Sequence, residues 1–322
     1  MSARLDGEAR KTRRRDSAFW QRPILAAFLI WSCNSGARDA DSNRDVPALR
    51  DLKTIGAFTE PDLVEASGVV ASTRVPGVFW SQNDSGNDER VFAYDSTGRA
   101  IGAVRIAGSY NRDWEAIAIG PCPTGSCLYI GDVGDNGARR DSVRVWRVPE
   151  PLPTDTVSPI AERLYLRYTD GPRDVEAIYV APDTSLFLIS KRPDLDATRI
   201  PRPARLYHIA AGAWRESATV VAAIVDSLPV TPTPRDARTW VTDASLSEPD
   251  STGARHLAVR TYLDVFVFAM DSLTWQPSTL IAHCSLRDLK TLDGEGVTWL
   301  PDGRLLFNSE GSAARLKVGR CP

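Results

Sequence analysis

Five acidic residues each open a short hydrophobic run: Glu65-Ala-Ser-Gly-Val-Val, Glu115-Ala-Ile-Ala-Ile, Glu176-Ala-Ile-Tyr-Val, Asp243-Ala-Ser-Leu and Glu295-Gly-Val-Thr-Trp. Carboxylates recurring in one register do cation chemistry if the chain folds them round one axis. At an effective dielectric of 20, two of them 4 Å apart repel by about 4 kcal/mol. Such a ring must protonate in part, pair with basic side chains, or hold a metal. Calcium suits an all-oxygen site, taking about 6–8 oxygens at roughly 2.3–2.6 Å. The expected ligands are Glu65, Glu115, Glu176, Asp243 and Glu295, with Ser67 or Asn83 and waters completing the shell.

The elements needed to position such a ring are legible in the spacing. Each acidic run is followed by three further β-type segments, and the unit recurs at roughly 50 to 65 residues, about one four-stranded blade with its loops. An all-β fold follows, a β-propeller of five four-stranded blades with the acidic runs as innermost strands. The fifth set is short by one strand, and Lys53 to Phe58, which has no set of its own, is expected to complete it and close the ring. Six blades is the alternative count. It needs another set within 217–242, where Pro229, Pro232 and Pro234 oppose regular strands.

In a blade the start of the first strand and the end of the second emerge at the same face. The second-strand ends carry Asn83 and Asp84, Asp132, Asp135 and Asn136, Lys191, Arg260, and Glu310. These are the expected ligand-binding groups round the acidic ring, where calcium binding and recognition of a ligand or partner would share one mouth. For any single carboxylate, capping of backbone amides or pairing with arginine is the competing role.

Other chemistries are excluded or disfavoured. His208, His256 and His283 are the only histidines and fall within strands or at their far ends, which opposes a Ser-His-Asp triad or a His-ligated catalytic zinc. No phosphate loop or dinucleotide fingerprint occurs. The tryptophans, Trp80, Trp114, Trp146 and Trp299 among them, read as packing residues. After residue 32 the chain carries 32 Lys and Arg against 38 Asp and Glu, an acidic balance that argues against nucleic acid as a partner.

The first 32 residues differ from the rest. A basic stretch (Lys11, Arg13, Arg14, Arg15) precedes an apolar core from Pro23 to Trp31 that is too short to span a bilayer, the pattern of a secretory signal. Residues 33–50 read as a polar tether and 51–322 as the propeller domain. Ile30-Trp31-Ser32-Cys33 is similar to the lipobox of bacterial lipoproteins, although Trp31 stands where a small residue is usual; the resemblance implies a lipid on Cys33 and makes that lipid the sole membrane contact. An ordinary cleaved signal is the alternative. The four other cysteines admit three pairings. Cys122 and Cys127 bracket a turn and suit a bridge, which leaves Cys284 with Cys321, two residues that the strand order places toward opposite ends of their strands.

Glu65-Ala-Ser-Gly, Asn83-Asp84-Ser85-Gly86, Arg112-Asp113-Trp114-Glu115-Ala-Ile-Ala and Tyr129-Ile-Gly-Asp132-Val-Gly-Asp135-Asn136 resemble motifs of exported bacterial WD40-like or TolB-like β-propeller proteins and lipoproteins. The resemblance spans roughly 55–320 and implies the fold and an envelope or secreted location, with no established activity. Calcium-activated apyrases are a looser architectural analogy, and their blade motifs are not reproduced here.

The first functional expectation is therefore a monomeric envelope propeller that binds calcium and recognises a small anionic ligand or an envelope protein. The alternative is a calcium-dependent hydrolase of phosphate esters or similar anions, in which the metal activates water. Lys191 and Arg260 would then hold the anion, with Glu115 or Glu310 as base. A structural scaffold is the third reading.

Overall fold

The computed structural model describes residues 46–215, 218–290 and 294–322, and every described strand lies in the unit that begins at Asn43. The signal segment 1–32, Cys33 and the tether up to residue 45 lie outside the described residues. The rest of the expected tether does not behave as one. The Ser285 amide donates to the Pro47 carbonyl at 2.8 Å, Ala48 bridges Ser285, and Leu49 is buried.

The strands follow the expected sets. Val70–Ala71, Val78–Gln82, Arg90–Asp95 and Ala100–Arg105 form one antiparallel sheet in sequence order, and Val241–Leu246, His256–Thr261, Asp264–Met270 and Pro277–Ser285 form another. A third sheet joins Val297–Trp299, Leu305–Phe307 and Arg315–Arg320 to Arg50–Ala57, so the N-terminal strand supplies the missing outer member as anticipated. The fourth sheet has eight strands. It consists of two four-strand runs, Ala116–Cys122 to Glu162–Tyr168 and Val175–Val180 to Val220–Ser227, fused through parallel pairing of Val220–Ala222 with Leu166–Tyr168. Between 228 and 240 there is only a 3-10 turn and an isolated bridge.

The packing explains why these strands read as nearly unbroken apolar runs. Both faces of each set are covered by neighbouring sets, so the period-2 alternation sorts residues between two cores instead of between core and water. Leu128 and Ile130 face the first set with Trp80 and Trp146, while Tyr129 between them faces the third set with Leu188 and Tyr207. The five apolar clusters lie in turn between sets one and two, two and three, three and four, four and five, and five and one. The first strands contact one another in the same cyclic order.

Each first strand is a sheet edge, so its outer backbone groups need partners from elsewhere. Side chains supply them. The Ser81 hydroxyl donates to the Gly68 carbonyl, the Ser67 hydroxyl to the Glu115 carbonyl and the Thr242 hydroxyl to the Glu295 carbonyl. A Cβ at Gly296 would meet Asn308 Oδ1 at 2.3 Å and the Gly68 carbonyl carbon at 2.8 Å, so only glycine allows the first and fifth sets to approach this closely.

Both cysteine pairs are at disulfide distance, with Cα separations of 5.8 Å for Cys122–Cys127 and 5.7 Å for Cys284–Cys321. The strand order had set the second pair at opposite ends. That bookkeeping holds near the axis and fails at the rim, because a twist of roughly 20–25° per strand turns the outer strands sideways. Residues 47–50 then run from the last strand of set four to the last strand of set five and bring the two cysteines together.

Candidate functional site

The acidic residues at the first-strand starts fall into two sectors with different electrostatics. In the second and third sets nearly every charge has a counter-charge. Lys191 forms a buried ion pair with Glu176, whose second oxygen, Oε2, is buried without a hydrogen-bond partner. Asp132, wholly buried, accepts from Arg140 Nη2 at 2.8 Å and lies 3.5 Å from Arg144 Nε. Asp135 accepts from the Arg140 amide at 2.7 Å and donates its own amide to Asp174 Oδ1 at 2.9 Å. Arg192 closes the network, binding Asp174 Oδ2 at 2.5 Å and the Asn136 side-chain oxygen. Of the expected ligand-binding groups, Asp132 and Lys191 are thus taken up by partners within their own sets, and Asp135 and Asn136 by Asp174 and Arg192 across the seam between two sets.

Asp243 and Arg260 are also occupied internally. Asp243 accepts from the amides of Ala244 (2.8 Å), Val297 (2.8 Å) and Val69, so its carboxylate ties the edges of three first strands. Burial still pushes this carboxyl well above its usual range, against those donors and Arg260. Arg260 is fully buried and donates to the carbonyls of Gly296 at 2.5 Å and Asn308 at 2.8 Å. Burial lowers its pKa to about 10, opposed by Glu295 and Asp243. It is a strut between sets four and five and presents no face to solvent.

The remaining carboxylates gather on the side formed by the first, second and fifth sets. Asn83 organises the entry: its Oδ1 accepts from the amides of Val64 (3.1 Å) and Glu65 (3.0 Å), and its Nδ2 donates to Asp62. Asn308 plays the same part in the fifth set, accepting from the Gly296 amide at 2.6 Å. Glu65 accepts from Asn87 at 2.6 Å and shares a side-chain hydrogen bond with Asp84. Burial, then repulsion from Glu65, Asp113 and Glu295, pushes the Asp84 carboxyl up to about 7. Glu115 accepts from the Ser67 hydroxyl at 3.0 Å and is almost wholly buried. Its carboxyl is driven well above the usual range by that burial and by Asp113, Asp84 and Glu295, with Lys191 opposing. The Tyr262 hydroxyl hydrogen-bonds Glu295 and senses Glu310 and Glu115; burial followed by Glu295 raises its pKa.

Glu65, Glu115 and Glu295 are therefore brought within electrostatic reach of one another, together with Asp84 and Glu310, while Glu176 and Asp243 are held apart by their own partners. Among the described residues no three His, Cys, Asp or Glu side chains stand at common metal-ligating distance. Asp113, Asp174, Tyr262 and Arg140 belong to the site and were not singled out from sequence. Two of them carried a signal. Asp113-Trp-Glu115 and Asp174-Val-Glu176 share an acid two residues before the strand glutamate, as does Asp293-Gly-Glu295, whose aspartate lies outside the described residues. Gly134 makes the close packing at the second set possible, since a Cβ there would meet the side-chain carbons of Asp113 and Glu115 at 2.5 and 2.6 Å.

The histidines stand within strands or at their ends. His208 is depressed by burial, and His283 stacks on Phe266 at 4.1 Å and faces Asp264. No described helix is long and apolar enough to cross a membrane.

No protein-family model matches the chain, and no curated protein does. Among solved structures, it is similar to a glucose dehydrogenase (9% identity, 84% of this chain and 99% of that one, TM-score 0.47). It is also similar to the WD40 β-propeller domain of Doa1 (9%, 83% and 97%, TM-score 0.40) and to a gluconolactonase from Xanthomonas campestris (14%, 86% and 86%, TM-score 0.42). Identities of this order say nothing of activity.

Proposed function

We propose that the chain is an exported five-bladed propeller whose acidic mouth binds a divalent cation, calcium by the hardness of its oxygen donors, and recognises a ligand there. One observation carries the reading: burial raises Asp84, Asp113 and Glu115 alike, Asp113 and Glu295 raise Asp84 and Glu115 further, and only Lys191 at Glu115 and Arg140 at Asp113 oppose, a crowding of carboxylates that a bound cation would relieve. The side chains do not converge on a point, so a cation must draw Glu65, Asp84, Glu115 and Glu295 inward, and affinity is correspondingly modest. Two disulfide pairs fit an oxidising compartment. The hydrolase reading loses its anion holders, because Arg260 is sealed inside and Lys191 is paired with Glu176.

Calorimetry of the purified 46–322 domain with calcium tests this. Saturable heat is expected, accompanied by a raised melting temperature, with both lost in Glu115→Gln combined with Glu295→Gln. Affinity should rise as pH passes upward through 7, because Asp84 must give up its proton to bind. Absence of binding at pH 8 would refute the proposal.

A further inference from the structure

A cavity of about 700 Å³ opens at the other end of the first strands, lined by their final residues and by the turns that follow. It is separate from the acidic mouth: Val70, Ala244 and Thr298 face it, and the Asp243 carboxylate, bound to the amides of residues 69, 244 and 297, lies one residue nearer the acidic end. Its size is that of a small-molecule site.

From its lining we infer that this cavity binds a neutral carbohydrate of one to a few sugar rings. One part of the wall is aliphatic, with Ile119, Val180, Leu246 and Leu300, and the half-buried indole of Trp299 adds a flat surface of the kind that packs on the apolar face of a sugar. Another part is hydroxylic, with Ser72, Thr73, Ser245, Ser247 and Thr298. Several of these hydroxyls are fixed. Buried Glu150 accepts from Ser72 at 2.5 Å and from Thr73 at 2.7 Å; Ser72 Oγ also accepts from the Val75 amide at 2.9 Å and Thr73 Oγ1 lies 2.6 Å from Ser126 Oγ, which leaves each hydroxyl one lone pair to accept from a ligand. Thr298 accepts from the Ala71 amide at 3.3 Å, and Ser245 lies 3.4 Å from Thr298. The first strands are sheet edges here too, so backbone donors and acceptors face the same space.

The lining also argues against other occupants. It contains no Lys or Arg among the described residues, and an anion would be desolvated without compensation. Of its two carboxylates, Glu248 lies 3.5 Å from Arg255, and Asp250 is bound within its own turn by the amides of Thr252 (2.7 Å) and Ala254 (3.1 Å). Neither is placed to hold a metal. A wholly apolar ligand would desolvate the accessible hydroxyls of Ser72 and Thr73 without replacing their bonds to water.

The test is calorimetry of the purified protein against neutral hexoses and disaccharides, with the matching uronates and sugar phosphates alongside. At least one neutral sugar should bind, at least about tenfold more tightly than its charged counterparts. Leu246→Trp, which fills the cavity, should weaken binding at least about tenfold. Leu300→Trp, just after a different first strand, is the second filler should the first not fold, and circular dichroism checks both. Glu115→Gln should leave sugar binding unchanged, which separates this site from the calcium reading. No heat with any neutral sugar would overturn the inference, as would equal affinity for the charged forms or unaltered binding in a folded filler variant.

Discussion

Two halves of one mouth are built from equivalent positions and end in opposite electrostatic states. Between the second and third sets, Asp132, Asp135, Asp174 and Glu176 are answered by Arg140, Arg144, Arg192 and Lys191. Toward the first and fifth sets, Glu65, Asp84, Asp113, Glu115 and Glu295 repel one another, and two of them are driven far up the pH scale. The first sector is a structural joint, since buried charges paired with one another have little left for a ligand. The second crowds carboxylates that burial and mutual repulsion push up, with Lys191 opposing at Glu115 and Arg140 at Asp113. Strand register alone therefore does not define a functional ring. The loop residues following each second strand decide which carboxylates are used up.

The difference is open to direct attack. Arg140→Ala should have the largest effect, because it leaves Asp132 buried beside Arg144 alone and removes a donor to the Gly134 carbonyl. A loss of about 3–5 kcal/mol is expected by denaturant unfolding. A loss below about 1 kcal/mol would mean that the joint is not needed.

A matched pair sharpens the contrast, since Glu176→Gln and Glu115→Gln make the same chemical change at equivalent strand positions. Glu176→Gln strips the buried Lys191 ammonium of its partner and should cost about 2–3 kcal/mol, somewhat less than a fully isolated charge because Lys191 also faces Glu115. Glu115→Gln replaces a carboxyl that is already inclined to hold its proton and keeps an acceptor for Ser67, so it should change stability by less than about 1 kcal/mol. Equal losses in the two variants would erase the distinction between sectors.

How much of this was legible beforehand divides along the same line. The strand sets, the closing N-terminal strand and the Cys122–Cys127 pair follow from local alternation and turn residues, which act over a few positions. The Cys284–Cys321 pair was reached by elimination and is present, but strand order set its two cysteines apart, because accumulated sheet twist is a property of the assembled sheet. The five acids were found by register, yet their fates depend on partners 15 to 54 residues away, such as Lys191 for Glu176 and the Val297 amide for Asp243. No window of sequence carries that information. The Asp-x-Glu repeat came nearest, since it marks Asp113 and Asp174 without saying that the second would be neutralised and the first would not.

The most specific effect concerns Asp84. Asp84 has a folded pKa of about 7 against 3.8 for the ordinary side chain, so between those values the folded protein binds more protons than the unfolded chain. The native state therefore loses stability as pH rises from about 4 to 7, and that cost is fully present above 7. Three pH units correspond to about 4 kcal/mol for a sealed group; Asp84 is only half-buried, and screening reduces the expected figure to about 1–2 kcal/mol. Asp84→Asn removes the titration while keeping a donor for Glu65. It should match the parent protein near pH 4, exceed it by that amount at pH 8, and flatten stability between. With calcium bound, the advantage at pH 8 should vanish or reverse, because the ion stabilises the charge that the substitution deletes. If the parent already shows a flat profile between pH 4 and 8, the carboxylates of this sector are neutralised by some other route and the contrast with the joint disappears.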